Sequence, residues 1–554
     1  MAKVLLSLCL TVVLLRCSLA QAERSSPVVT LKTGSVCGHY RTVRGTDQLV
    51  EEYLGIPFAH PPLGPLRLAA PQPAEPWEGV RDATKIPNIC PQDRTSMEAF
   101  WKSFPVKYPS VEMSEDCLYL NVYRPTGTPS GDKLPVMVWI HGGGLAAGGT
   151  FQYDGSPLAA YQNVVVVVIQ YRLSILGFLS TGDEHAPGNW GFLDQIASLQ
   201  WVQDNIEAFN GDPNSVTIFG QSAGGISVSM LVMSPLADGL FHKAIAMSGV
   251  APLEAHYTNN PLAMAKMIAN LTECDDSNNE KLVQCIKGKS EEDMLSAIKQ
   301  MKAFLGPAID GVFLKGPPED ILKSKEFQKV PMLIGVTNHE FGWILPHFLG
   351  PAGWSEGMEQ QAVISVMDMF FPSHASGGNE LILEEYLQHN DSPEKIRDAF
   401  TEILGDMVLV LPVLKVAAYH RDADAPVYVY EFQHSPVMHS KTRPSFVKAD
   451  HFDDALFFLG ACFCTGHTVV TGPVTEEEEE LSKTAMAYIA NFAHTGSPNG
   501  PGLVDWPQYD RNENYLNLNL QQTVGQRLKQ NRAHFLNVLL PHKLTMSHPV
   551  NDEL

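Results

Sequence analysis

The chain has 554 residues, with 39 Lys and Arg against 61 Asp and Glu, so its formal charge is −22. A chain this acidic, with no Lys/Arg run, is excluded as a nucleic-acid binder, because displacing counterions from phosphate requires a basic patch. Hydrophobic residues make up 44% and charged residues 18%, against roughly 25% charged in an average soluble domain, which excludes disorder and coiled coil and provides for a large buried core.

Residues 1–22 read as an export signal: Lys3 supplies the positive end, residues 4–15 an apolar run, and Ala20-Gln21-Ala22 a small-x-small cleavage site. Arg16 closes the run short of the about 20 apolar residues a membrane span needs. No later stretch offers a span, so the mature chain is expected to carry none. Residues 57–76 are Pro-rich and read as irregular surface chain. Apolar runs rich in β-branched residues follow at 135–140, 164–172, 215–220, 243–248, 331–335 and 427–432, and read as strands covered on both faces. Between the second and third, residues 190–209 read as a helix with Leu193, Ile196, Ala197 and Trp201 on one face. Strands alternating with helices predict an α/β fold with a large, mostly parallel sheet. With no repeat and no linker, residues 23–550 are expected to form a single domain.

Asn270-Leu271-Thr272 and Asn390-Asp391-Ser392 are glycosylation triplets, the second weakened by Pro393. Thr475 before the run Glu476 to Glu480 reads as a helix N-cap with an acidic first turn that complements the helix dipole. The last four residues, Asn551-Asp552-Glu553-Leu554, differ only in the first from the Lys-Asp-Glu-Leu class of retrieval signals. Together with an entry signal they predict residence in the endoplasmic-reticulum lumen and binding of the tail by a retrieval receptor. Cys9 and Cys17 leave with the signal, and the mature chain keeps Cys37, Cys90, Cys117, Cys274, Cys285, Cys462 and Cys464. In an oxidising lumen some of these pair. A bridge between Cys462 and Cys464 would be strained, so these two and Cys37 read as free and buried. No Cys-x-x-Cys or His-Glu-x-x-His spacing occurs, so no metal site is expected.

Two glycine motifs carry chemistry. Gly220-Gln221-Ser222-Ala223-Gly224 stands directly after one predicted strand and before a small-residue stretch able to start a helix. A Ser on such a turn is held in a strained backbone with its hydroxyl presented, and the flanking glycines remove side chains that would clash. His141-Gly142-Gly143-Gly144 follows another predicted strand. Its backbone N–H groups, with that of Ala223, have the makings of an oxyanion hole for a tetrahedral intermediate.

These motifs, with Glu115-Asp116-Cys117-Leu118-Tyr119-Leu120-Asn121-Val122, Tyr171-Arg172-Leu173, Gly188-Asn189-Trp190-Gly191 and Trp506-Pro507-Gln508-Tyr509, resemble the type-B carboxylesterases of the α/β-hydrolase superfamily. Length and tail are most similar to the mammalian carboxylesterase-2 group. The resemblance covers nearly all of the mature chain and implies an α/β-hydrolase fold and a cofactor-free hydrolase of small-molecule esters. It places the nucleophile on Ser222, the acid on Glu340 within Asn338-His339-Glu340-Phe341-Gly342-Trp343, and the base on His451. It implies oxyanion donors at Gly143, Gly144 and Ala223, and bridges Cys90 to Cys117 and Cys274 to Cys285. The order Ser, acid, His is that of the superfamily. Three departures stand out: Gln221 where the family has Glu, Phe452 where it has Gly (with Asp453-Asp454 in place of Asp-Glu), and Asn210 where it has Gly. The implied activity is a broad carboxylic-ester hydrolase of xenobiotic and lipid esters. An acylglycerol lipase is an alternative, and so is a weakly active or non-catalytic binding relative, against which Ser222 and the retrieval tail argue.

Overall fold

The segment Val165–Ile169 is five consecutive β-branched residues, every one fully buried, and it shows how the sheet is built. Branched side chains stiffen χ1 and fit a pleated surface, and a strand sandwiched between helices has no polar face. The computed structural model describes residues 25–547 except 130, 252–259, 302, 304, 375–376 and 388–390. The export signal, the retrieval tail and Asn390 lie outside the described residues.

Eleven strands form the main sheet: β1 (His39–Arg41), β2 (Val50–Pro57), β3 (Tyr119–Pro125), β4 (Leu134–Ile140), β5 (Val165–Ile169), β6 (Gly211–Gln221), β7 (Lys243–Met247), β8 (Met332–Thr337), β9 (Val427–Phe432), β10 (Asn514–Leu518) and β11 (Thr523–Gln526). Their order across the sheet is 1-2-3-5-4-6-7-8-9-10-11. From β5 to β10 every neighbouring pair is parallel, and antiparallel strands close both edges. The six predicted runs became β4 to β9. The run 164–172 ends as a strand at Ile169, because beyond it Arg172 turns to form a two-pronged buried ion pair with Asp194, at 2.7 Å on each prong.

Side-chain alternation assigns the two faces. Val136, Val138, Ile140, Val165, Val167 and Ile169 join the core on one side, while Met137, Trp139, Val166 and Val168 join the core on the other. Trp139 is fully buried there, and truncating such a ring costs about 3–5 kcal/mol. Five helices position the features below: α1 (Ser156–Gln162), α2 (Trp190–Asn205), α3 (Ala223–Met233), α4 (Asp453–Phe458) and α5 (Glu476–Thr495). A third apolar cluster, with Phe341, Trp354, Phe400 and Phe535, is built from the chain after β8 and from the C-terminal turns.

The predicted face of α2 does meet the core, with Trp201 within it and Leu193, Ile196 and Ala197 packed against it, but it is not the deepest face. Leu193, Ile196 and Ala197 are only half-buried, and the deepest positions are Phe192, Asp194, Gln195, Ser198, Leu199 and Val202. The helix is enclosed on most sides and its polar side chains find partners inside, Asp194 on Arg172 and Gln195 on Ser227 at 3.1 Å. Residues 57–76 are not purely surface chain either: Arg67 is buried, with its guanidinium on Glu115 and on the carbonyls of Ile286 and Lys289. At α5 the acidic run is structural as read, since Thr475 and Glu478 form a reciprocal capping box. Cys90–Cys117 and Cys274–Cys285 are bridged. Cys464 is buried and free, whereas Cys37 and Cys462 are free but only half-buried. Among the described residues no helix is long and apolar enough to cross a membrane.

Candidate active site

Ser222 sits between β6 and α3 with φ 57° and ψ −125°, a region that L residues occupy only when the surroundings enforce it. The turn is tight enough that a Cβ on Gly224 would lie 2.0 Å from the carbonyl oxygen of Ile140, so the motif's last glycine is a steric requirement. The backbone N–H of Ser222 donates to Met247 on β7 at 2.8 Å, and its carbonyl accepts from Ile226 at 2.9 Å, which ties the elbow to both strand and helix.

The loop after β4 approaches the same point. Gly143 has φ 107°, and a Cβ there would meet the carbonyl of Ala147 at 2.1 Å. His141 anchors the loop from beneath: its ring stacks on Tyr171 at 4.4 Å, and the Tyr171 hydroxyl donates to the His141 carbonyl at 2.8 Å. Burial pushes the His141 imidazole down to about 4, so it stays neutral as a support. Among the described residues, the N–H groups of Gly143, Gly144 and Ala223 make no hydrogen bond, which leaves them open to a substrate oxygen.

Glu340 lies just beyond β8, wholly buried. Its Oε1 accepts from the Ser248 hydroxyl and from the backbone N–H of Thr337, both at 2.6 Å. Its Oε2 accepts from His451 Nδ1, also at 2.6 Å. Burial alone would push the His451 imidazole down, but the hydrogen bond and charge of Glu340, with Asp450 and Asp454 behind it, leave it above its ordinary value. With Nδ1–H committed to Glu340, Nε2 carries the lone pair that a general base needs. Among the described residues, the hydrogen bond to that nitrogen comes from the Gln221 side-chain amide at 3.1 Å rather than from Ser222 Oγ.

Sequence reasoning missed the frame around His451. Asp450 accepts from the backbone N–H groups of Trp343 and Ile344, both at 3.0 Å, and an isolated parallel bridge joins Asp450 to His339. Asp453 accepts from Asp450 N–H at 2.8 Å and is gripped by Arg443 at 2.9 and 2.7 Å. Burial raises both carboxyls against the opposing pull of Arg443. Asp454 accepts from the Tyr430 hydroxyl at 2.6 Å, and burial, with the charge of Glu340, pushes it up to about 7. The run of acids around His451 was the available signal, although it resembles any solvated acidic cluster.

Phe452 adopts φ 81° and ψ −13°, a left-handed conformation, at the N-cap of α4, where a Gly would carry no steric penalty. Its ring is 7% exposed and packs edge-on against Phe104 at 5.5 Å and against Tyr153 at 6.3 Å, bordering a cavity with Tyr108 and Leu456. Asn210 is also left-handed, φ 59°, a conformation Asn tolerates better than most residues. Asn270 is exposed near the end of the helix Pro261–Leu271.

A strained Ser beside open backbone donors, with a carboxylate-oriented His hydrogen-bonded to the adjacent Gln221, brings together the groups used to attack a carbonyl. The family model described as "Carboxylesterase family" matches residues 25–536. Human cocaine esterase is 48% identical over 526 residues, covering 94% of this chain and 93% of that protein. The "fatty acyl-CoA hydrolase precursor, medium chain" of Anas platyrhynchos is 46% identical over 538 residues, covering 96% and 95%. Pyrethroid hydrolase Ces2e of Rattus norvegicus is 45% identical over 536 residues, covering 96% and 93%.

Proposed function

The chain belongs to the carboxylesterase family and is a carboxylic-ester hydrolase, and from that premise we propose that it works through Ser222, His451 and Glu340 in the lumen of the endoplasmic reticulum. His451 Nε2 takes the proton of Ser222 as Oγ attacks the ester carbonyl. The N–H groups of Gly143, Gly144 and Ala223 hold the oxyanion. The imidazolium then protonates the departing alcohol. Water, activated by the same nitrogen, releases the acid from the acyl-enzyme. The observation that carries this reading is the 2.6 Å contact between His451 Nδ1 and a Glu340 carboxylate itself pinned by Ser248 and Thr337. That contact fixes the tautomer and the ring orientation.

The relatives' names point to a broad substrate class, esters of xenobiotic and lipid acids. The intended unit is residues 23–550, after removal of 1–22 and with 551–554 as a retrieval address. Asn270 is exposed and is the stronger glycan acceptor, since Pro393 weakens the triplet at Asn390. Ser222→Ala tests the assignment: turnover falls by at least roughly a thousandfold, leaving only what oxyanion stabilisation and binding supply, and stoichiometric phosphonate labelling disappears. Retention of most activity, or labelling at another residue, would refute it.

A further inference from the structure

Away from the proposed triad, the described residues include three ligand-bearing side chains, Glu52, Asp154 and His467, whose donor atoms lie within 4.8 Å of one another. Glu52 stands on β2, Asp154 two residues ahead of α1, and His467 beyond the short turn Ala461–Phe463. Glu52 and Asp154 are buried, 0% and 3% exposed, and His467 is half-buried as a residue, with its side chain 7% exposed.

Each side chain is held from its outer atom. Glu52 Oε2 accepts from Arg41 Nε at 3.1 Å and Nη2 at 2.7 Å and lies 2.6 Å from His39 Nε2. Asp154 Oδ1 accepts from the backbone N–H of Ser156 at 2.9 Å. His467 Nε2 donates to the Tyr153 carbonyl at 3.2 Å, so in the neutral ring the lone pair is on Nδ1. The inner atoms, Glu52 Oε1, Asp154 Oδ2 and His467 Nδ1, have no hydrogen-bond partner. The 3.6 Å between Nδ1 and Oε1 is too long for a hydrogen bond but within ion-pair distance when His467 carries a proton, the state with which a metal ion would compete. Outer atoms pinned while inner atoms converge unpaired is the pattern of ligands oriented for a metal.

Charge points the same way. Arg41 offsets Glu52, but Asp154 forms no ion pair among the described residues, and a buried carboxylate needs either a cation or a proton. We propose that Glu52 Oε1, Asp154 Oδ2 and His467 Nδ1 bind a divalent transition-metal ion. Two carboxylate oxygens and one imidazole suit zinc, whereas calcium and magnesium demand about six oxygen ligands. Of the three, Asp154 also lines a cavity, with Gln152, Tyr108, Cys464 and Thr468, from which a water could complete the coordination. The ion ties β2, the approach to α1 and the segment after Ala461–Phe463 together. That segment walls the same cavity as Phe452.

The test uses the full mature chain, stripped with a chelator and titrated with zinc alone by calorimetry at neutral pH. One ion binds per chain and the melting temperature rises. His467→Ala and the near-isosteric Asp154→Asn each weaken this binding by at least about a hundredfold, more than the loss typical of outer-shell changes. Circular dichroism and phosphonate labelling at Ser222 confirm that each variant folds. Absence of a one-equivalent site in the wild type would overturn the proposal, as would binding undiminished in both variants. So would a melting temperature that follows the protonation of His467, in its setting of His39, Arg41, Glu52, Asp154 and Cys464, but ignores zinc.

Discussion

Gln221→Met is the sharpest probe of the base, because it removes an amide donor while nearly keeping shape at a position only 2% exposed. The amide donates to His451 Nε2 at 3.1 Å, so Ser222 must displace it before its own proton can move. One intramolecular hydrogen bond is worth a net of about 0.5–1.5 kcal/mol, and at about 1.36 kcal/mol per tenfold its loss raises kcat/KM by about 2- to 13-fold. The same donor stabilises neutral imidazole. Removing it therefore moves the His451 pKa further up. The sign is opposite on the two parts of the profile: the plateau rises, while the acid limb, where His451 becomes protonated and useless as a base, shifts to higher pH. The assay is kcat/KM for a chromogenic ester across pH, with phosphonate titration counting active sites. Unchanged plateau and limb would mean that Gln221 does not engage Nε2 in solution. A lower plateau would mean that the amide turns its oxygen toward the imidazolium and assists catalysis.

Phe452→Gly loses a buried ring, worth about 3–5 kcal/mol, and relieves a left-handed backbone at φ 81°, worth roughly 1–2 kcal/mol. The variant is therefore about 1–4 kcal/mol less stable by urea denaturation, with uneven changes in kcat/KM across an ester series; a more stable variant would contradict the balance. Asp194→Ala strands the buried Arg172 guanidinium and costs about 3–5 kcal/mol, read by the same unfolding; a cost under about 1 kcal/mol would mean that water or another group replaces the carboxylate. Deleting 551–554 sends the protein from cell lysate to medium in a pulse-chase experiment, and equal retention with and without the tail would remove the retrieval assignment.

The central strands were legible because parallel strands covered on both faces must be apolar throughout, and the glycine motifs because the turn after β6 and the loop after β4 leave no room for side chains. The edge strands, such as His39–Arg41 at three residues, carry too little pattern to read. Periodicity placed an apolar face of α2 on the core but does not reveal that Asp194 and Gln195 find partners inside on a deeper one. Glu340 and His451 came from resemblance, since one buried carboxylate cannot be told from many exposed ones by spacing. Gln221 was singled out as a departure, yet its contact with the base, like the left-handed backbone of Phe452, depends on where loops meet in space. The grouping of Glu52, Asp154 and His467 is likewise invisible in sequence, because three distant segments supply one atom each.

The bridge from His339 to Asp450, with the two hydrogen bonds from Trp343 and Ile344 to the Asp450 carboxylate, makes the acid and base loops one mechanical piece. The turn that carries Ser222 is fastened to the same piece, because its N–H is held by Met247 and the next residue, Ser248, donates to Glu340. A change at Ser248 therefore disturbs the seating of the acid and of the Ser222 turn together.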